Sequence, residues 1–265
     1  MSSNPGLGVQ SFPNALRGQL KIHPTDTTQF GVYSTGTVRK FVSGTRYRIG
    51  DRVFKYGKTG AAVNPGFGAF NNGVYSGITG GNVTARAIGD IWLDILLDAT
   101  TGGTTWFGTK NNMVGGIWCQ PDGTNAQFRM ITGHEKGADA LTIKVYLDGP
   151  ITRTMIATSF MECAQNPYNQ LSNSGGGWAS VMGVPTTVIA SGSYGWFQSW
   201  GPCWVTPSLP VADTVKWRTV CFVGDGSIRS FEDVTGETGH QVAGFVIDQT
   251  SGDNPPFVML QISPY

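Results

Sequence analysis

Apolar and polar residues alternate with a period of two along much of this chain. The cleanest case is the stretch 141–147. Leu141, Ile143, Val145 and Leu147 fall on one side, Thr142, Lys144 and Tyr146 on the other, and Asp148-Gly149-Pro150 ends the run. That is the pattern of a half-buried strand. Residues 88–98 carry two patterns. Ile91, Leu93, Ile95 and Leu97 alternate with Trp92, Asp94, Leu96 and Asp98, while Ile88, Ile91, Trp92, Ile95 and Leu96 also fit a helical face. The flanking Gly89 and Thr100-Thr101-Gly102-Gly103 decide for a strand. Residues 38–42 and 47–56 read as strands separated by Ser43-Gly44, and 66–73 as loop punctuation. Residues 215–223 and 227–231 flank Gly224-Asp225-Gly226 and predict a β-hairpin, because Asp-Gly suits a turn that needs positive φ. Residues 242–247 and 257–262 make a last strand pair, joined by a Ser-Gly-Asp-Asn-Pro-Pro loop. No amphipathic helix longer than about ten residues is visible.

The densest aromatic stretch is Gly195-Trp196-Phe197-Gln198-Ser199-Trp200-Gly201-Pro202-Cys203-Trp204-Val205, which holds three of the eight tryptophans. Gly201-Pro202 would end a helix there. The alternation of Trp196, Gln198 and Trp200 against Phe197 and Ser199 predicts a strand that buries aromatic area, Trp200 included, and then turns sharply.

Many short strands at close spacing, with turn residues between them, indicate an all-β body, a β-barrel or β-sandwich of antiparallel strands. Residues 1–30 are rich in Gly, Pro, Thr and Asn with little periodicity, and read as an extended N-terminal arm. Alone, such a segment buries too little apolar surface to offset its ordering entropy, so it is expected to lie on a neighbour. A boundary near 105–115 divides the rest into an N-terminal β-domain at 31–105 and a C-terminal barrel or sandwich at 106–265. A softer break falls at 172–177.

Composition narrows the picture. Glycine accounts for 38 of 265 residues, charged residues for 13 %, and the net charge is +1. Soluble domains average about 25 % charged residues. Low charge beside 40 % hydrophobic residues suggests a surface covered by partners rather than water. No basic run marks a nucleic-acid binder, and no apolar run reaches the roughly 18 residues of a membrane span. The start lacks the charged-then-apolar pattern of a secretory signal, so folding in a cytoplasm is expected. Cys119, Cys163, Cys203 and Cys221 are widely spaced, which suggests buried free thiols rather than a zinc site or disulfide framework.

The catalytic signals are weak. No GxSxG, HExxH or P-loop occurs, and Gly192-Ser193-Tyr194-Gly195 reads as a turn. His23, His134 and His240 are the only histidines, each with the surroundings of an arm or turn. Asp94 with Asp98, or Glu232 with Asp233, would serve a glycosidase only at about 5–9.5 Å separation. Gly252-Asp253-Asn254 could bind calcium but lacks EF-hand spacing. Trp106, Trp118, Trp178 and Trp217 could stack on sugars or bases, though core or interface burial is the commoner use. The expectation is therefore no enzyme, no catalytic, metal or cofactor residues, and no cofactor.

Other phrases carry a resemblance. They are Gly50-Asp51-Arg52-Val53-Phe54-Lys55-Tyr56-Gly57-Lys58-Thr59-Gly60, the 85–89 stretch before a hydrophobic strand, and Phe128-Arg129-Met130-Ile131-Thr132-Gly133-His134. Further along come 141–150, Asn166-Pro167-Tyr168, Gly183-Val184-Pro185 and the run from Gly195 to Pro202. Together, over residues 45–205, they resemble virion structural proteins of tailed bacteriophages. The most specific part is Trp-x-Gln-x-Trp-Gly-Pro in order with Asn-Pro-Tyr. The resemblance implies a non-enzymatic capsid decoration or cement protein on the head surface, assembled in the host cytoplasm. Its implied partners are the major capsid protein and copies of itself, expected as a homotrimer at a threefold position, with no nucleic acid and no membrane. The alternatives are a head-fibre, tail or baseplate component with a carbohydrate- or host-surface-binding role, a carbohydrate-binding module, and a glycosidase. The four cysteines and the aromatic 196–204 stretch depart from the family pattern, so no binding residue is carried over.

Overall fold

The structure, a computed structural model, describes residues 31–72, 75–78, 84–97, 107–121, 124, 126–137, 142–157, 159–175, 179–211, 218–234, 240–248 and 256–263, with the backbone alone at 75–78 and 233–234. The N-terminal arm expected at 1–30 lies outside these residues.

The fold is all-β, two curled antiparallel sheets. The larger, ten-stranded sheet contains β1 (Arg46–Ile49), β2 (Arg52–Lys58), β3 (Ala69–Asn71), β10 (Leu171–Ser172), β11 (Val181–Pro185) and β12 (Tyr194–Trp204). It is completed by β13 (Thr219–Phe222), β14 (Ile228–Ser230), β15 (Val242–Asp248) and β16 (Phe257–Gln261). The smaller sheet runs in the order β4-β9-β6-β7-β8-β5, from β4 (Tyr75–Ile78), β5 (Trp92–Leu96), β6 (Ile117–Gln120), β7 (Gln127–His134), β8 (Thr142–Leu147) and β9 (Met161–Ala164). Its strands come from one continuous stretch, 75–164, and the larger sheet takes strands from both flanks. The sheet partition therefore crosses the expected division at 105/106.

Period-two patterning places the smaller core. Ile143, Val145 and Leu147 of β8 and Leu93 and Ile95 of β5 are buried, joined by Trp118, Ile131 and Met161 in one cluster. The ambiguous 88–98 stretch is a strand at Trp92–Leu96, paired with β8 from Trp92↔Tyr146 to Leu96↔Thr142. Ile91 falls outside the strand and is exposed, and Leu141 and Asp98 lie outside the described residues. The β13–β14 hairpin and the β15–β16 pair form as the sequence predicts.

β12 is buried on both faces. Trp196 packs with Phe54 and Tyr56 on one side, and Phe197 with Leu171 and Ile189 on the other. The Tyr56 ring meets the Trp196 indole at 5.2 Å in a T-shaped contact, a favoured aromatic geometry.

Four expectations need correction. Residues 38–42 form no strand, and Val38 and Val42 are exposed. The 47–56 stretch is a hairpin, β1–β2, because Gly50 takes φ +57° and reverses the chain. Ala69, Phe70 and Asn71, inside the expected 66–73 loop, form β3. Gly201-Pro202 is no sharp turn either. β12 runs through it to Trp204, pairing Gly201 with Leu260 and Pro202 with Met259 of β16. The strand bulges against β2 at Ser199, between Gln198 and Trp200, and continues through Gly201, which adopts φ +93°. Trp200 is half-buried, and among the described residues the fully enclosed tryptophans are Trp118 and Trp196.

Candidate functional site

Among the described residues, the outer face of the smaller sheet presents neighbouring large apolar side chains to solvent. Side chains opposite one another on adjacent antiparallel strands share a face. The registers place Ala164 opposite Ile117 and Ile117 opposite Met130, and in the next outward row Glu162 opposite Cys119 and Cys119 opposite Phe128. The residues between these rows, Cys163 and Trp118, point into the core. Phe128 is 69 % exposed, Met130 42 % and Ile117 39 %. Three large apolar side chains thus stand on three neighbouring strand positions of one face. Such contiguous exposure, unlike a lone surface leucine, signals an interaction surface.

The flank of this face carries charge. Arg86 and Lys144 lie over the Trp92 ring at 3.5 and 4.0 Å from its centroid. Arg86 also pairs with Asp94, which sits opposite Lys144 on β5–β8. Trp92 is therefore already engaged by the protein's own cations. Charged groups beside an apolar centre match the polar rim and apolar middle of protein interfaces.

The end of the smaller sheet is closed by a buried amide pair. Gln127 Nε2 donates to Gln120 Oε1 at 2.9 Å and to the Arg153 carbonyl at 3.0 Å, and Gln127 Oε1 accepts from the Thr152 and Arg153 N–H groups. These bonds satisfy groups that would otherwise be costly to bury. Arg129 beside them donates from Nε and Nη2 to the Pro150 carbonyl. A shallow cavity of about 530 Å³ lies along this edge, against Cys119, Phe128 and Arg129.

Among the described residues, those considered for catalysis are engaged by other groups of the protein. His134 is buried; its Nε2 accepts from the Met113 N–H at 3.0 Å, and its Nδ1 lies 2.6 Å from the Glu135 carbonyl. Both ring nitrogens are held by main chain, which leaves none for a serine or substrate. His240 Nδ1 faces the Phe222 carbonyl at 3.2 Å. Asp94 is occupied by Arg86, and Glu232 is exposed and accepts from Ser230 Oγ at 3.2 Å. Ser193 sits in the predicted turn with Gly192 at φ +73°. His23, Asp253, Trp106, Trp178 and Trp217 lie outside the described residues, as does the side chain of Asp233. Trp118 is a core residue. Among the described residues no group of three or more His, Cys, Asp or Glu side chains could hold a metal.

The cysteines are free thiols, Cys163, Cys203 and Cys221 buried and Cys119 half-buried. Burial pushes the Cys163 and Cys203 thiols up to about 12. Burial also raises Cys119, reinforced by the Glu162 carboxylate. Thiols held protonated in this way are poor nucleophiles.

The Phe128 face is not legible in the sequence because it depends on the register in which β6 and β7 pair. The signal available was that Phe128 and Met130 are apolar at the same parity of one strand, on the opposite side from Ile131. Among known proteins the chain matches no family model, no curated protein and no solved structure. No helix among the described residues is long and apolar enough to cross a membrane.

Proposed function

We propose that this protein is a non-enzymatic structural component of a tailed-phage particle. It docks on the outside of the head as a decoration or cement protein, with the major capsid protein as its partner and copies of itself completing a homotrimer. The observation that carries this reading is the exposed cluster of Ile117, Met130 and Phe128 on the outer face of the smaller sheet. These side chains form an apolar patch on adjacent positions of β6 and β7. The phage assignment rests on the sequence resemblance, and the low charge agrees with a module set between neighbours. Stable contacts of this kind bury about 1,200–2,000 Å². Binding the assembled shell and not its free subunits would slow subunit loss by mass action.

The test is a double variant, Phe128→Asp with Met130→Asp, added to heads assembled without the protein. Both side chains are exposed, so folding should be retained, as a melt would verify. Placing charge in the centre of the patch should weaken head binding at least about 30-fold, the effect of losing a hot-spot contact. Unchanged binding would remove the patch from the interface.

A further inference from the structure

A second surface lies on the larger sheet, where β2 begins and β12 ends. There Tyr33, Arg52, Pro202, Trp204 and Phe257 line a cleft of about 600 Å³, with Pro65 and Pro185 among its walls. Trp204 is 60 % exposed and Tyr33 64 %. Trp204 is braced from behind by Phe257, its register partner on β16, at 5.2 Å between ring centroids. A large indole held in place by a neighbouring strand yet open to solvent contributes little to the core.

Among the described residues one charged side chain lines the cleft, and that residue is positioned. Arg52 Nε donates to Gln198 Oε1 at 2.9 Å. Its guanidinium lies over the Phe54 ring at 4.8 Å. Gln198 is fully buried, and its Nε2 donates to the Trp200, Gly201 and Pro202 carbonyls at 3.1, 3.2 and 2.8 Å. The oxygen of this amide therefore has a fixed direction, and Arg52 is aimed by it. Nη1 reaches the Tyr33 hydroxyl only at 3.5 Å, a marginal distance for a hydrogen bond. Most of the guanidinium fork is free to meet a carboxylate or similar anion, for which its planar geometry is suited. Among the described residues no acidic side chain lines the cleft.

The same contacts argue against a peptide adding as a strand. β12 beyond Trp200 pairs with β16 on one side. Its carbonyls at 200–202 are engaged by Gln198, and Pro202 has no N–H to offer. The Cys203 thiol is pushed up to about 12 by burial, so covalent chemistry there is disfavoured. What remains is an open aromatic and proline-walled platform, the Thr186 and Thr206 hydroxyls, and one fixed cation.

We infer that the Trp204 cleft is a binding site for an acidic oligosaccharide. One sugar ring lies its C–H face on the Trp204 indole, and the sugar's carboxylate or sulfate meets Arg52. The open aromatic face selects a flat, partly apolar ring that stays half in water. The cation selects an anionic sugar over a neutral one. This site is on a different sheet from the Phe128 face and does not depend on the docking proposal.

The experiment is an array of neutral, uronate-bearing, sialylated and sulfated oligosaccharides, with titration calorimetry on any hit and on its neutral counterpart. A proline-rich peptide is titrated in parallel. The expected result is binding of one acidic class. Trp204→Ala should weaken it at least about tenfold, the scale of one lost stacking contact with its buried area. Arg52→Gln should abolish the preference for acidic over neutral sugar, and Arg52→Lys should restore part of it. Melts of the variants separate lost binding from lost fold, and Trp204→Ala, at an exposed position, should melt as the parent does. No signal on the array, binding indifferent to Trp204→Ala, or binding of the peptide in place of the saccharides would each overturn the assignment.

Discussion

At the scale of single residues, His134 shows how burial decides chemistry. Its Nε2 accepts from the Met113 N–H, so Nδ1 carries the proton and donates to the Glu135 carbonyl. That is the neutral imidazole in one tautomer. Burial lowers the His134 pKa below its ordinary value, and the bond to the Glu135 carbonyl only partly opposes this. The folded-state pKa is thus depressed relative to the unfolded chain. As pH falls from about 6.5, the unfolded chain takes up a proton before the folded protein does. This contribution to stability is present above about pH 6.5 and is lost as pH falls through the depressed folded-state value. The melting temperature should therefore drop between pH 7 and 5. In His134→Gln, whose amide oxygen can still accept from Met113, that part of the drop should vanish. An identical pH profile in parent and variant would contradict the assignment. Nothing in Gly133-His134-Glu135 as a sequence distinguishes this buried acceptor from a turn histidine. Its partners come from residues about twenty positions upstream, through Met113 and Asn111.

At the scale of elements, the strands legible in the sequence were those with a clean period of two and glycine at their ends, such as β8, the β13–β14 hairpin and the β15–β16 pair. The misread ones share a physical cause. In the sequence, glycine reads as punctuation in Gly201-Pro202, where its positive φ lets a strand continue, and the Gly50-Asp51 reversal reads as strand interior. A Cβ on Gly201 would run into the Asp51 carbonyl, whereas a Cβ on Gly192, also at positive φ, would meet open space. Gly192→Ala should cost about 1–2 kcal/mol from the left-handed backbone alone. Gly201→Ala should cost distinctly more, since strain and backbone clash add. Urea unfolding of both variants checks this. Equal losses would mean that the approach of β12 to the Asp51 carbonyl is not tight.

At the scale of the whole molecule, the two sheets are joined through the Asn166-Pro167-Tyr168 phrase. The chain leaves β9 of the smaller sheet and enters β10 of the larger one through buried Asn166 and Asn169. Asn166 Nδ2 donates to the Ser43 carbonyl at 2.8 Å, Ser43 Oγ to Asn169 Oδ1 at 2.6 Å, and Asn169 Nδ2 to the Asn112 carbonyl at 3.3 Å. The asparagines tie segments from both sheets into one polar junction, and their phrase stood out in the sequence without its role being legible. The Phe128 row and the Trp204 cleft were equally hidden. The cleft is assembled from segments far apart in the chain, and the Phe128 patch, though β6 and β7 follow one another, depends on their pairing register, which no local pattern records.

The most direct test of the proposed role is a symmetry-resolved cryo-EM reconstruction of phage heads assembled with this protein, with its copies counted. Hundreds of copies on the icosahedral lattice, with Ile117, Phe128 and Met130 buried against the shell, are the predicted result. Absence from the head, or a bound protein that leaves the Phe128 face in solvent, would contradict the proposed role.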